Sequence, residues 1–396
     1  MSRLRIGYYL SLPPVGGGIE RHVLSLIDHF RERHHVTVFC EPLDDSHPFL
    51  LELNARGISS RFVRRQVRKT NGVLGAVAEN LPAVFYSRVS LAAARLDVLH
   101  FHAGRLGSIY APIVASCIAG VPNRILTMHN SFASTSRVQR FIEGRVLGHL
   151  HHVVAVSEAV RQELEAKKGL TVKKVAVISN GIDLAEFELA VDPRGIKAEL
   201  GLPVESLVIG IVGRLYHVKG ADLLIRAAEL IREKLPQSRV VLIGEGPEEQ
   251  RLKSLAAERS VADIVIFAGY RRDARRLMQA LDLLVMPSRH EAQSFSLMEA
   301  MACGKPVVGS NVGGIPAVLV DGVTGLLIPT EDFGALADAV VKLLGDPKRM
   351  ADMGRAGRRR VQAHFSQAAM LEKTGSLYEA SRSRLTQPAP VSGVPS

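Results

Sequence analysis

The sequence has no tryptophan, only three cysteines among 396 residues, and no uninterrupted apolar run near the roughly 18 residues that a membrane-spanning helix requires. Its seven tyrosines and thirteen phenylalanines are scattered rather than interleaved with basic residues, which argues against a stacking platform for single-stranded nucleic acid. Cys40, Cys117 and Cys303 lie far apart, in or beside apolar segments. They lack the paired spacings of a zinc site and read as buried thiols in a reducing compartment rather than as nucleophiles. The first residues show no basic start, apolar run and small-residue cleavage site, because Leu4 to Leu10 is already strand-like and Pro13-Pro14 stops it. A cytoplasmic protein is the expectation.

Acidic residues are missing locally as well. Between Ala55 and Ala78 there is none, whereas Arg56, Arg61, Arg64, Arg65, Arg68 and Lys69 supply six cations. A solvated surface accounts for such a run, and an anionic partner surface is the other reading. Near the inner leaflet of a membrane each cation would contribute about 1 kcal/mol, enough for reversible attachment. The net charge of +11 favours anionic partners, which include nucleotides, nucleic acid and acidic lipid. At roughly 100 to 200 residues per domain, the length predicts two or three domains.

What is present is an alternation of short apolar runs with amphipathic segments. Leu4 to Leu10, His35 to Cys40, Leu96 to Phe101, Arg124 to Met128, Val153 to Val156 and Lys174 to Ile178 read as strands, with helical patterns between several of them. Asp183 to about Pro203 carries no strand pattern. The alternation then restarts with strands at Leu207 to Val212, Arg239 to Ile243, Val265 to Phe267, Leu281 to Met286, Lys305 to Gly309 and Leu326 to Ile328. Helices are expected at Ile19 to Arg31, Ala221 to Lys234, Phe333 to Leu344 and Phe365 to about Arg384. This is an α/β chain with two doubly wound units. The domains are expected at 1–187 and 188–365, with a helix over 366–385 packing back on the first and a disordered tail over 386–396.

Several polar groups fall at the C-terminal ends of strands, where open α/β sheets bind ligands. Gly17 and Gly18 close the loop Ser11 to Gly18, which feeds a helix whose positive end suits a phosphate; a tight turn is the plainer reading. His100 and His102 share one face of their strand, with no further ligands at a metal spacing. His129 follows the next strand and could hydrogen-bond a sugar hydroxyl or a phosphate. Arg214 and Lys219 flank a loop just beyond a strand, a good geometry for two cations meeting one diphosphate, although isolated cations of this kind are commonly surface charges. Glu291 and Glu299 stand eight positions apart where an irregular segment enters a helix. Ser296 to Glu299 fits a capping box. If Ser294 is the cap instead, Glu299 is released for a ligand.

The motifs G-G-G-I-E-R-H-V, Met128-His129-Asn130, Val156-Ser157-Glu158, Ser179-Asn180-Gly181-Ile182-Asp183, G-R-L-x-x-x-K-G, G-E-G-P and E-x7-E followed by A-M-A-C-G-K-P-V-V occur in that order. Together they resemble the retaining glycosyltransferases of family 4, from Leu4 to about Arg384. The resemblance implies a GT-B fold, with two Rossmann-like domains facing across a cleft, and transfer of a sugar from a nucleotide-diphosphate sugar to a hydroxyl acceptor in polysaccharide, lipopolysaccharide or glycolipid assembly. A UDP-sugar would be favoured, with a GDP-sugar as the other option, and no separate cofactor is needed. Arg214 and Lys219 would neutralise the diphosphate, Glu299 would bind the ribose and Glu291 the donor sugar. The backbone near Ser294, Phe295 and Ser296 would meet phosphate, and Gly17 and Gly18 would approach the diphosphate from the first domain. His129 would lie near donor sugar and acceptor, with Glu20 and His102 on the acceptor side.

No Asp-x-Asp occurs, so a divalent metal has no evident ligands and none is assigned. The cationic run and the segment Arg137 to His149 suggest a lipid-linked or membrane-surface acceptor. Two departures from the family pattern stand out. Ala292-Gln293-Ser294 replaces a common Gly-Phe-Gly, and Ala317 stands where a glutamate is frequent. A non-hydrolysing sugar-nucleotide epimerase and a non-catalytic sugar-nucleotide-binding protein are the competing readings.

Overall fold

A computed structural model describes residues 3–11, 17–62, 84, 87–130, 137–165, 175–188 and 191–386. The chain forms two compact units, one of Met1–Ser179 with Met370–Ser396 and one of Asn180–Ala369. Most of the glycine loop, Arg64 to Lys69 of the cationic run and the expected tail from residue 387 lie outside the described residues. None of the described helices is long and apolar enough to cross a membrane.

The first unit is built on seven strands: β1 (Arg5–Leu10), β2 (His35–Cys40), β3 (Ser60–Phe62), β4 (Val98–Ala103), β5 (Asn123–Met128), β6 (His152–Ala155) and β7 (Val175–Val177). They pair in the order β3-β2-β1-β4-β5-β6-β7, and the pairings are parallel. Strands covered on both faces by helices must be apolar throughout, and Tyr8, Leu10, Val38, Val98, Ile125 and Val154 supply that content. Met370, Leu371 and Tyr378, from the helix Gln367–Thr386, join the same core.

The second unit repeats the plan with β8 (Leu207–Val212), β9 (Ser238–Ile243), β10 (Val265–Gly269), β11 (Leu283–Met286), β12 (Val307–Ser310) and β13 (Gly325–Ile328). Their order is β10-β9-β8-β11-β12-β13, again with parallel pairing. In both sheets the chain starts at the centre, winds to one edge and returns beside its first strand. The reversal points, between β1 and β4 and between β8 and β11, are where connections diverge to opposite faces and leave a crevice.

Three expectations shift. β4 starts and ends two residues later than the apolar run Leu96 to Phe101, and its end takes in the buried His102, whose Nδ1 meets His129. Between Asp183 and Pro203, where no strand pattern is expected, the described residues hold a 3-10 turn at Leu184–Phe187 and a helix at Pro193–Glu199, and Phe187 of the turn and Ile196 of the helix are buried in the second unit's core. A helix at Pro347–His364 precedes the final one.

Candidate active site

In the second unit, the loops after β8 and β11 meet at the reversal point. The first runs through a 3-10 turn, His217–Lys219, to Gly220, whose φ of 70° is left-handed. A Cβ at Gly220 would lie 2.0 Å from the Pro287 carbonyl oxygen, so the two loops touch backbone to backbone only because this residue is glycine. Arg289 fastens them. Its amide donates to the Val218 carbonyl at 2.8 Å and its guanidinium donates to the His217 carbonyl at 2.7 Å. The same group holds Asp222 with a fork of 2.7 and 2.8 Å bonds and also pairs with Glu331. Burial works against the Asp222 carboxylate, yet its hydrogen bonds from Arg289 outweigh that and hold its pKa below the usual carboxylate range.

This clasp brings Lys219 to Glu291. The Lys219 ammonium donates to the Glu291 carboxylate at 2.5 Å; the carboxylate is largely buried, while the lysine remains 32% exposed. Arg214, at the mouth of the same loop, stacks over Tyr216 with its guanidinium carbon 5.1 Å from the ring centre. The Glu291 carbonyl accepts from the Gly314 amide at 2.8 Å, which ties in the loop after β12.

The helix Phe295–Ala302 begins at Ser294, whose hydroxyl accepts from the Leu297 amide. Ser296 therefore lies inside the first turn, and the capping-box reading of Ser296 and Glu299 is overturned. Glu299, 4% exposed, stands on the buried side of the helix and faces Arg275 across 3.7 Å. Phe295 and Ser296 occupy its first positions, where the helix end is electropositive. Gln293 has a structural use: its side-chain oxygen accepts from the Asn180 amide at 2.6 Å. Ala317 is exposed on the short helix Ile315–Val318, and its carbonyl accepts from Arg360 at 2.8 Å.

In the first unit, Gly17 precedes the helix Gly18–Phe30, and its amide donates to Glu20 at 2.8 Å. Glu20 is thus engaged at the helix start rather than turned outward. His102 and His129 lie side by side at the ends of β4 and β5, His102 Nδ1 3.2 Å from His129 Nε2. His100 contacts Tyr378 Oη at 2.7 Å and Thr127 Oγ1 at 2.8 Å, and Tyr378 in turn donates to Tyr8. Burial first, then neighbouring imidazoles, holds His102 and His129 well below the ordinary histidine range, so both are neutral. Of the cationic run, Arg56 is committed to Asp28 and Glu52, and Arg61 donates to the Ser90 carbonyl.

Two family models match the chain, one described as glycosyl transferases group 1 over residues 194–360 and one as glycosyltransferase family 4 over residues 16–186. A D-inositol 3-phosphate glycosyltransferase of Kineococcus radiotolerans is 31% identical over 93% of this chain and 92% of its own length. The chain belongs to glycosyltransferase family 4. An alpha-maltose-1-phosphate synthase of Mycolicibacterium smegmatis is 30% identical over 92% of this chain and 96% of its own. Among solved structures, Anabaena HepE in complex with UDP-glucose matches with a TM-score of 0.82 at 21% identity, covering 95% of this chain and 99% of that one. Sucrose-phosphate synthase from Thermosynechococcus elongatus matches at 0.75 and 24%, with coverage of 95% and 99%. Both share the GT-B fold class.

Within this family member, sequence reasoning singled out the loops that carry Arg214, Lys219, Glu291 and Glu299, and it missed what holds them. Arg289 and Asp222 are 67 residues apart and gave no joint signal. Arg289 sits two places before Glu291, a position that could have drawn attention. His22 was also missed. It lies in the G-G-G-I-E-R-H-V motif and reaches the His102–His129 pair, with its ring centre 5.3 Å from that of His102 and 4.7 Å from that of His129.

Proposed function

We propose that the protein transfers a sugar from a nucleotide-diphosphate donor, with a UDP-sugar favoured, to a hydroxyl acceptor, with retention at the anomeric carbon and without a divalent metal. The reading rests chiefly on the Lys219–Glu291 pair at the second reversal point, with Arg214 on the same loop. The UDP and UDP-glucose complexes of the HepE protein support a uridine donor.

Breaking the bond between anomeric carbon and phosphate oxygen leaves positive charge on the sugar and negative charge on the diphosphate. Cations aimed at the phosphates therefore stabilise the transition state more than the ground state. Lys219 carries three N–H donors, so it can keep one on Glu291 and turn another to phosphate. Glu291 then stands where it can accept from donor-sugar hydroxyls. The sugar passes to the acceptor oxygen, and the acceptor proton leaves with the nucleotide diphosphate. In this reading Glu299 accepts from the ribose, and neutral His129 contacts donor sugar and acceptor.

For the acceptor we favour a glycan or lipid-linked hydroxyl at the inner face of the membrane, in polysaccharide, lipopolysaccharide or glycolipid assembly. Phe141, 63% exposed on the helix Arg137–Leu147 with Arg145 over its ring, supports a surface of that kind. Co-sedimentation with anionic vesicles at low salt measures this directly, and no binding removes the membrane part of the proposal.

Incubation with UDP-sugars and a panel of glycan acceptors, before and after chelation, tests the rest. We expect UDP release that depends on acceptor, an α-linked product from an α-linked donor, and activity that survives chelation. Activity lost to the chelator and restored by magnesium or manganese would refute the metal-independent step. Interconversion of the donor sugar without acceptor would identify an epimerase instead.

A further inference from the structure

His22, His102 and His129 come from three separate elements of the first unit: the helix after β1, the end of β4 and the turn after β5. One nitrogen from each lies within 4.8 Å of the other two. The His102 and His129 nitrogens are 3.2 Å apart, and the three ring centres are separated by 4.7, 5.3 and 5.5 Å. Around a tetrahedral zinc ion with Zn–N bonds of about 2.0–2.1 Å, ligand nitrogens should lie about 3.4 Å apart and imidazole centres about 5 Å apart. The ring centres and the His102–His129 nitrogens thus stand near the spacing that a single ion imposes, with a His22 nitrogen within 4.8 Å of both.

We propose that His22, His102 and His129 form a site for one transition-metal cation of the zinc class, with its fourth position open to water or an added ligand. The all-nitrogen set suits zinc, cobalt, nickel or copper and not magnesium or calcium, which take oxygen ligands. The site uses none of Arg214, Lys219, Glu291 and Glu299, the residues that the transfer proposed above assigns to the donor. The His100 ring packs 4.1 Å from that of His102 and is itself fixed by Thr127 and Tyr378, which limits ring rotation.

Occupancy has a consequence that rests on the functional reading. If His129 contacts donor sugar and acceptor, a cation bound to it withdraws it, and zinc inhibits transfer. Binding itself does not depend on that reading.

The full chain, stripped of metal by dialysis, is titrated with cobalt(II). The expected result is one equivalent bound with the strong visible absorption of four-coordinate cobalt, displaced by zinc. His22→Gln and His129→Gln should each weaken cobalt binding by at least about 10- to 100-fold. Absence of the absorption in the wild type, or its retention by either folded variant, overturns the site. Zinc-edge X-ray absorption on the wild type supplies a readout independent of the variants' folding. Three imidazole nitrogens at about 2.0–2.1 Å are expected, and a shell dominated by oxygen or sulfur refutes the proposal. If cobalt binds as expected and zinc leaves transfer unchanged, the site stands and the role given to His129 falls.

Discussion

Replacing Lys219 with methionine lowers kcat/KM by about 100- to 1,000-fold, with most of the loss in kcat, if the ammonium offsets charge on the departing diphosphate. That corresponds to about 2.7–4 kcal/mol of transition-state stabilisation, the scale of a single well-aimed donor in an acyl-transfer oxyanion hole. Methionine keeps the length of the stem and removes the charge. It also frees Glu291, whose carboxylate is held by Lys219 in the unliganded protein, so an unpaired negative charge then faces the phosphates and adds to the loss. Lys219→Arg restores charge on a wider, planar group in a turn closed by the left-handed Gly220, and recovers part of the activity. Steady-state kinetics on variants whose thermal unfolding matches the wild type is the measurement. A kcat/KM within about threefold of wild type for Lys219→Met would show that the lysine does not stabilise the transition state, and a loss carried by KM with kcat unchanged would show that it binds ground and transition states alike.

Glu299→Ala weakens UDP binding by about 10- to 100-fold, the 1.5–3 kcal/mol range of hydrogen bonds to a charged acceptor, and changes kcat much less. The prediction separates a ribose ligand from a helix cap. Ser294 already caps the helix Phe295–Ala302, so losing Glu299 does not undo its start. Arg275 keeps Glu186 as a partner and is not stranded. Calorimetric titration with UDP and its 2′-deoxy analogue gives the decisive comparison. The wild type should prefer the ribose form and Glu299→Ala should not. Equal discrimination by both proteins would move the ribose contact elsewhere.

The sequence was most readable where short-range rules govern. Apolar runs marked the buried strands, and the helices Ala221–Lys234 and Phe333–Leu344 have the bounds that their periodicity predicts. It was least readable where a distant partner sets the local state. His100 is satisfied inside β4 because Tyr378, 278 residues away, supplies a hydrogen bond that a histidine in a buried strand needs. The helix Pro347–His364, for which no expectation was formed, carries Gly354 and Gly357, residues that cost a helix interior about 1 kcal/mol each. Packing explains Gly354: a Cβ there would lie 1.9 Å from the Gly304 carbonyl oxygen. At the candidate site the same division holds. Glu291, Glu299, Arg214 and Lys219 were visible as chemistry beyond strand ends, whereas the Arg289–Asp222 clasp and the position of His22 depend on which strands lie side by side.

The first unit is made from two stretches of chain, with all of Asn180–Ala369 between them. On the ribosome, Tyr378 and its helix emerge only after that insertion, which takes about 10 to 40 s to synthesise at 5–20 residues per second. For that interval the N-terminal half has its sheet but lacks Met370, Leu371 and Tyr378 from its core. The part of the protein made first is therefore the last to mature, and in that window it depends most on whatever shields exposed apolar surface in the cell.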